Sequence, residues 1–153
     1  MDLKLTGKTA LITGASSGIG AAAAVMLAEE GADVVVVYGE NQNQGEKTAR
    51  AVRERGRKAW LAGMNIADPD SVRAEMTALQ KKVAALDILV LCAGLNIITP
   101  LEEITPAEWK QVLDVNLNGA FYVLQEALPM LREGASVVTV SSVAAHTGAP
   151  HHA

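Results

Sequence analysis

Thr9-Ala10-Leu11-Ile12-Thr13-Gly14-Ala15-Ser16-Ser17-Gly18-Ile19-Gly20 decides how this chain folds. A short apolar run enters a glycine-rich loop, and the loop enters an alanine-rich stretch, Ala21 to Ala28, that reads as helix. Gly14 permits a tight turn off the strand. Gly18 and Gly20 let backbone and helix come close to a bulky anion. A helix start offers unpaired N–H groups and a partial positive charge to a phosphate, and Ser16 and Ser17 can add hydroxyl donors. The plain alternative is a glycine-rich turn that holds nothing. Its place between a first strand and a first helix favours nucleotide binding.

Outward from this stretch, runs of Val, Ile and Leu alternate with longer helical segments. Strands are expected at Thr9–Thr13, Val34–Tyr38, Ala59–Ala62, Asp87–Cys92 and Ser136–Ser141. Val34 to Val37, Ile88 to Leu91 and Ser136 to Val140 do not alternate with polar residues. Strands covered on both faces read this way. Helices are expected at Ile19–Glu30, closed by Gly31, and at Gln44–Arg55, closed by Gly56. Asp68 caps a third, Pro69–Val83, with Pro at its first position. Thr105-Pro106-Ala107-Glu108 forms a capping box for a fourth, which runs to about Leu131 with a break near Asn116 to Gly119. Strand–helix–strand repetition implies right-handed crossovers. The expected fold class is α/β: a Rossmann-like, doubly wound parallel sheet in the order 3-2-1-4-5, one domain over residues 1–153. Ligands of such sheets bind outside the carboxyl ends of the strands, at the switch point between the first and fourth.

Composition narrows the partners. Of 153 residues, half are hydrophobic, and 13 basic against 17 acidic residues leave a net charge of −4. That is no footprint for nucleic acid. A single cysteine, Cys92, excludes an internal disulfide framework and fits a reducing compartment. The longest apolar stretches, Ala21 to Ala28 and Ile88 to Ala93, are far shorter than the ~20 residues that span a bilayer. Met1 to Leu5 lacks the apolar core of a secretion signal. A cytoplasmic protein without membrane or nucleic-acid partners is expected.

The glycine spacing departs from G-x-G-x-x-G. T-G-x-x-x-G-I-G, here Thr13 to Gly20, resembles the short-chain dehydrogenase/reductase family. Other motifs follow in family order. Val90-Leu91-Cys92-Ala93-Gly94 matches the family's N-N-A-G strand end in Ala93 and Gly94, with Leu91 and Cys92 replacing the asparagines. Leu113 to Gly119 resembles the helix motif that carries a catalytic Asn, and Val140 to Ala144 the strand end that carries a catalytic Ser. The resemblance implies an NAD(P)-dependent oxidoreductase that moves hydride between a nicotinamide cofactor and a carbonyl or alcohol substrate, with 3-oxoacyl-acyl-carrier-protein reductases and glucose dehydrogenase-like enzymes nearest. It implies Ser142 to polarise the carbonyl and Asn116 to support a proton relay. It implies a cofactor site of Gly14, Ser16, Ser17, Gly18, Ile19, Gly20, Tyr38, Asn65, Ile66, Ala93 and Gly94, with Ile19 beside the nicotinamide. Taken alone, Ser142 is an ordinary strand-terminal serine and Asn116 an ordinary helix-bend residue.

Two points concern specificity. Tyr38, Gly39 and Glu40 stand where an acidic residue would accept from the ribose 2′-OH and mark NAD. Tyr38 brings no carboxylate, which tilts the expectation slightly to NADP over NAD, although no Arg or Lys lies near and Glu40 could oppose a phosphate. Asn65 stands where the family has Asp against adenine. It can keep that contact or satisfy its own backbone.

The family's proton donor, Tyr in Y-x-x-x-K, is missing. Tyr38 is followed four residues on by Gln42, and Tyr122 by Glu126. His146, His151 and His152 are expected in a final loop, without an acid–base role. The chain is therefore expected to be the N-terminal portion of a longer enzyme, inactive alone, with Ser136 to Ser141 an unpaired edge strand and a complementary C-terminal fragment as a possible partner. The different-class alternative is a non-catalytic nucleotide-binding or assembly module. The apolar helix of Trp109, Val112, Leu113, Leu117, Phe121, Leu124, Leu128 and Leu131 suggests a homo-oligomer, or else full burial within one subunit.

Overall fold

Five short runs of apolar residues form one sheet because each finds a parallel neighbour. In the computed structural model, which describes residues 3–148, the strands are β1 (Thr9–Ile12), β2 (Asp33–Tyr38), β3 (Ala59–Gly63), β4 (Leu86–Leu91) and β5 (Leu131–Thr139). Their order is β3-β2-β1-β4-β5, every pairing parallel. Ile12 lies between Val36 on one side and Val90 on the other, which fixes the register at the centre.

The helices are α1 (Gly18–Glu29), α2 (Gln42–Glu54), α3 (Pro69–Gln80), α4 (Pro106–Leu113), α5 (Gly119–Ala127) and the short α6 (Ala144–Thr147). Strand residues point alternately to the two faces. Ala10, Ile12, Val34 and Val36 pack with Ala24 and Ala28 of α1 and with Ala49 and Val52 of α2. Leu11, Val35, Val37 and Leu89 pack with Val72, Met76 and Leu79 of α3 and with Val123 and Ala127 of α5. Two helical layers thus sandwich the central strands.

The ends of the elements follow local chemistry. Asp68 caps α3 by accepting from Asp70 N at 3.0 Å. The capping box of α4 is present: Thr105 Oγ1 accepts from Glu108 N at 3.2 Å, and Glu108 Oε2 accepts from Thr105 N at 2.8 Å. Asn41 caps α2, so that helix starts before the expected Gln44.

Three expectations need correcting. The fourth helix does not reach Leu131. It stops at Ala127, and a 3₁₀ turn, Leu128–Met130, follows because Pro129 has no N–H to continue the ladder. β5 consequently begins at Leu131, and it bulges against β4 between the Leu86 and Ile88 pairings. Nor is β5 covered on both faces. Val137 and Val138, neighbours that point to opposite faces, are 44% and 49% exposed, while β5 does stand at the sheet edge as expected. His146 sits in α6 rather than in a loop, while His151 and His152 fall outside the described residues. No helix is long and apolar enough to cross a membrane among the described residues.

Candidate functional site

The glycine loop is built against the end of β4. Thr13 is buried, and its Oγ1 accepts from both Cys92 N and Ala93 N at 3.0 Å. Ala15 N donates to Val37 O, tying the loop to β2 as well. Gly14 has φ +66°, and a Cβ there would lie 2.8 Å from Ala93 Cα. A Cβ on Gly20 would lie 2.4 Å from Gly14 O. Strand, loop and helix therefore meet at distances only glycine tolerates. Ser17 gives the first turn of α1 no side-chain cap, so that turn keeps its affinity for an anion.

A cleft of about 1080 Å³ opens over this loop, at the carboxyl ends of β1 to β4. It is lined by Gly14, Ser16, Ser17, Gly18, Ile19, Gly20, Tyr38, Asn65, Ile66, Ala93 and Gly94. The fold thus gathers into one place every residue of the cofactor site that the resemblance implied. Val37, Gly39, Glu40, Met64, Ala67, Cys92, Leu95, Gln111, Val115 and Val140 complete the lining. Sequence reasoning did not single out Gln111 and Val115, although their i,i+4 spacing just before Asn116 puts them on one helical face. Glu40 is the only charged side chain in the lining among the described residues.

The residues fit a dinucleotide. A Cβ on Gly18 or Gly39 would meet nothing within 4 Å, so the cradle is open where phosphate and ribose need room. The volume, about 1080 Å³, lies just above the ~300–1,000 Å³ usual for ligand clefts. Tyr38 is held away from free rotation. A Cβ on Gly45 would lie 3.0 Å from its Cδ1, and one on Gly63 would lie 2.8 Å from its Oη, so its ring fills the slot between two glycines. Asn65 Oδ1 accepts from Ala67 N at 3.2 Å, the self-satisfying arrangement, which leaves the second lone pair of that oxygen.

A second cleft of about 900 Å³ adjoins the first and shares Ile19, Cys92, Ala93, Gly94, Leu95 and Val140 with it. Ser142 and Asn116 both line it. Ser142 Oγ accepts from Ala144 N at 3.1 Å at the start of α6, and its own proton remains for donation. Asn116 lies in a π-helical turn, Asp114–Asn118, at the break expected from sequence. Its Oδ1 accepts from Leu95 N at 2.7 Å and its Nδ2 donates to Leu95 O at 2.8 Å. The π turn therefore clamps the loop after β4. Asp114, bonded to Lys110 and Asn118, has its carboxyl held below the ordinary range by those two partners. Burial pushes the Cys92 thiol up, toward the inert neutral form. No tyrosine lines this second cleft among the described residues. Tyr122 packs against the α3–α5 core instead.

A family model described as short chain dehydrogenase matches residues 8–153. This chain belongs to the short chain dehydrogenase family. Versicolorin reductase stcU of Emericella nidulans is 38% identical over 153 residues, covering 99% of this chain and 58% of that protein. The 3-oxoacyl-[acyl-carrier-protein] reductase FabG of Staphylococcus aureus is 37% identical, covering 99% of this chain and 62% of that protein. A short chain dehydrogenase from Burkholderia cenocepacia, solved in complex with NADP, superposes with a TM-score of 0.90 at 34% identity, covering 95% of this chain and 59% of that one. The chain thus spans less than two thirds of these dehydrogenases. The five-strand order 3-2-1-4-5 read from the sequence is the order found.

Proposed function

We propose that residues 1–153 form the nucleotide-binding portion of an NAD(P)-dependent oxidoreductase that interconverts a carbonyl and an alcohol. One observation carries the reading: the glycine loop, the end of β2, the loop after β3 and the end of β4 line one cleft, and that cleft adjoins Ser142 and Asn116. Gly14, Ser16, Ser17, Gly18 and Gly20 would hold the pyrophosphate through backbone N–H and hydroxyl donors. Tyr38 would face the adenine ribose, and Asn65 and Ile66 the adenine. Ile19, Ala93 and Gly94 would flank the nicotinamide. Such a nucleotide, when bound, supplies or accepts the hydride. The Ser142 hydroxyl would donate to the substrate oxygen, and Asn116 would hold the loop after β4 and support proton relay. A 3-oxoacyl thioester or a free ketone fits this chemistry, in keeping with the reductases the chain is similar to.

Without carboxylate at Tyr38 the preference goes slightly to NADP, the nucleotide in the Burkholderia structure. The apolar side chains Trp109, Leu117, Phe121 and Leu128, all more than half exposed, support assembly into a homo-oligomer. The open edge of β5 supports pairing with a complementary C-terminal segment. With no Y-x-x-x-K among its 153 residues, this chain by itself is expected to show negligible reductase activity; the second reading is a nucleotide-binding or assembly module without catalysis. Fluorescence titration with NADPH and NADH, beside a steady-state assay of the 1–153 chain, tests both. Saturable binding without turnover is expected. No binding would overturn both readings, and a steady-state rate comparable to an intact relative's would overturn the expected inactivity.

A further inference from the structure

We propose that Asp114, Asn118 and Gly119 are positioning residues that fix the gap between the loop after β3 and the loop after β4, a role whose use rests on the nucleotide-binding reading of the cleft between them. Apolar spacing first shows why the helix must widen here. Side chains on one face of an α-helix recur three or four positions apart. Ala120, Val123, Leu124 and Ala127 keep that spacing against the core. Val115 packs on the same core, yet it lies five positions before Ala120. The π turn Asp114–Asn118 absorbs the surplus residue, and Gly119 N donates to Asp114 O to close it.

Side chains hold the turn wide. Asp114 Oδ1 accepts from Asn118 Nδ2 at 3.0 Å, a bond from the first residue of the turn to the last. Lys110 pairs with the same carboxylate, but its side chain is 75% exposed, so the Asn118 bond carries more. From this turn the chain reaches two loops. Asn116 grips both backbone groups of Leu95 on one side. On the other, Gly119 is buried against Ile66: a Cβ there would lie 2.9 Å from both Ile66 O and Ile66 Cγ1. Leu95 and Ile66 both line the nucleotide cleft. Behind Gly119, Val123 and Ala127 of α5 share a core with Val72 and Met76 of α3, and Arg73 Nε donates to Glu126 Oε1 at 3.3 Å. The loop after β3 is thus fixed to the core, and the π turn extends that fixity to the loop after β4. Were the surplus residue squeezed out, Asn116 would turn about the axis by one residue's share of a helical turn, about 100°, and leave Leu95.

The test is amide exchange on the 153-residue chain, read at Leu95 and, for global stability, at Val35 in the buried strand β2. Asp114→Ala adds no bulk and is expected to speed exchange at Leu95 about fivefold or more beyond any change at Val35. Asp114→Asn keeps an acceptor for Asn118 Nδ2 and is expected to restore most of the wild-type rate. Gly119→Ala pushes on Ile66 and is expected to speed Leu95 too, although Leu95 belongs to the other loop; if this variant does not fold, the two Asp114 variants decide. A wild-type Leu95 rate in Asp114→Ala overturns the proposal, as do equal rates in Asp114→Ala and Asp114→Asn, or Leu95 and Val35 speeding up together, which marks mere destabilisation. Fluorescence titration of the same samples with NADPH separates the two claims. Asp114→Ala is expected to weaken NADPH about fivefold or more, with Asp114→Asn near wild type. Localised exchange in a chain that binds no NADPH defeats the nucleotide reading alone. NADPH binding that is equally tight in wild type and Asp114→Ala defeats the positioning role alone.

Discussion

Replacing Gly14 with alanine tests the packing at the heart of the fold. The substitution meets two penalties. Its φ of +66° lies in the left-handed region, costing a residue with a Cβ about 1–2 kcal/mol. The new Cβ would lie 2.8 Å from Ala93 Cα and 3.0 Å from Ala93 N, both backbone atoms that Thr13 holds in place. Overpacking against such a wall costs about 1–3 kcal/mol. The sum is about 2–5 kcal/mol. With a urea slope of about 2 kcal/mol/M, the midpoint falls by about 1–2.5 M. Gly56→Ala is the internal control. Its φ is +73°, yet nothing lies within 4 Å of the added Cβ. It carries the backbone penalty and the shared loss of unfolded-state freedom, but no clash. Urea titration of both variants therefore isolates the contact. A Gly14→Ala midpoint no lower than that of Gly56→Ala would refute the claim that loop and β4 meet at glycine-only distance.

Three further outcomes follow from the same geometry. Burial pushes the Asp87 carboxyl up, but Thr9 N–H, the Lys8 ammonium at 3.0 Å and Arg132 outweigh it and leave the group below the ordinary aspartate range. A depressed carboxyl contributes stability above its unfolded pKa of about 3.9 and loses it as pH falls through the lower folded value. Asp87→Asn should then cost about 1–3 kcal/mol at pH 7, and the urea midpoints of variant and wild type should draw together as pH falls below the ordinary carboxylate range; a gap that stays as wide there as at pH 7 contradicts this. Glu40→Lys removes the one charged side chain that lines the nucleotide cleft among the described residues and adds the opposite sign. It should raise the NADPH-to-NADH affinity ratio several-fold, on the order of 1 kcal/mol, with a loss at high salt, and an unchanged ratio would place Glu40 away from the 2′ position. Asn116→Asp keeps the acceptor for Leu95 N but turns a carboxylate toward Leu95 O. Amide exchange at Leu95 should speed up more in Asn116→Ala, which removes the acceptor of Leu95 N–H, than in this variant, which keeps it, and a wild-type rate in Asn116→Ala would mean that the clamp carries no weight.

Much of the fold was readable because it is local. The continuous run Val34 to Val37 announced a strand covered on both faces, and all four are buried. Thr105, Pro106 and Glu108 announced a helix start through bonds within one turn. The break near Asn116 was visible, its π geometry was not. Where reading failed, a long-range or competing term decided. Apolar residues from Leu124 to Leu131 suggested one continuous helix, but Pro129 ends it and the pairing of Leu131 with Leu86 recruits the following residues into β5. Ser136 to Val140 looked like a doubly covered strand, yet coverage depends on neighbours that sequence composition does not display. The members of the candidate site were legible from motif order. The engagement of Asn65 with Ala67, two residues on, was one of the two alternatives the sequence left open; the slot that fixes Tyr38 was not legible, since it joins residues of different elements.

The most direct measurement is a crystal structure of the chain grown with NADP. The account predicts density for the pyrophosphate over Gly14 to Gly20, with the nicotinamide directed toward the cleft that Ser142 lines. Density for the nucleotide at any other surface would contradict it.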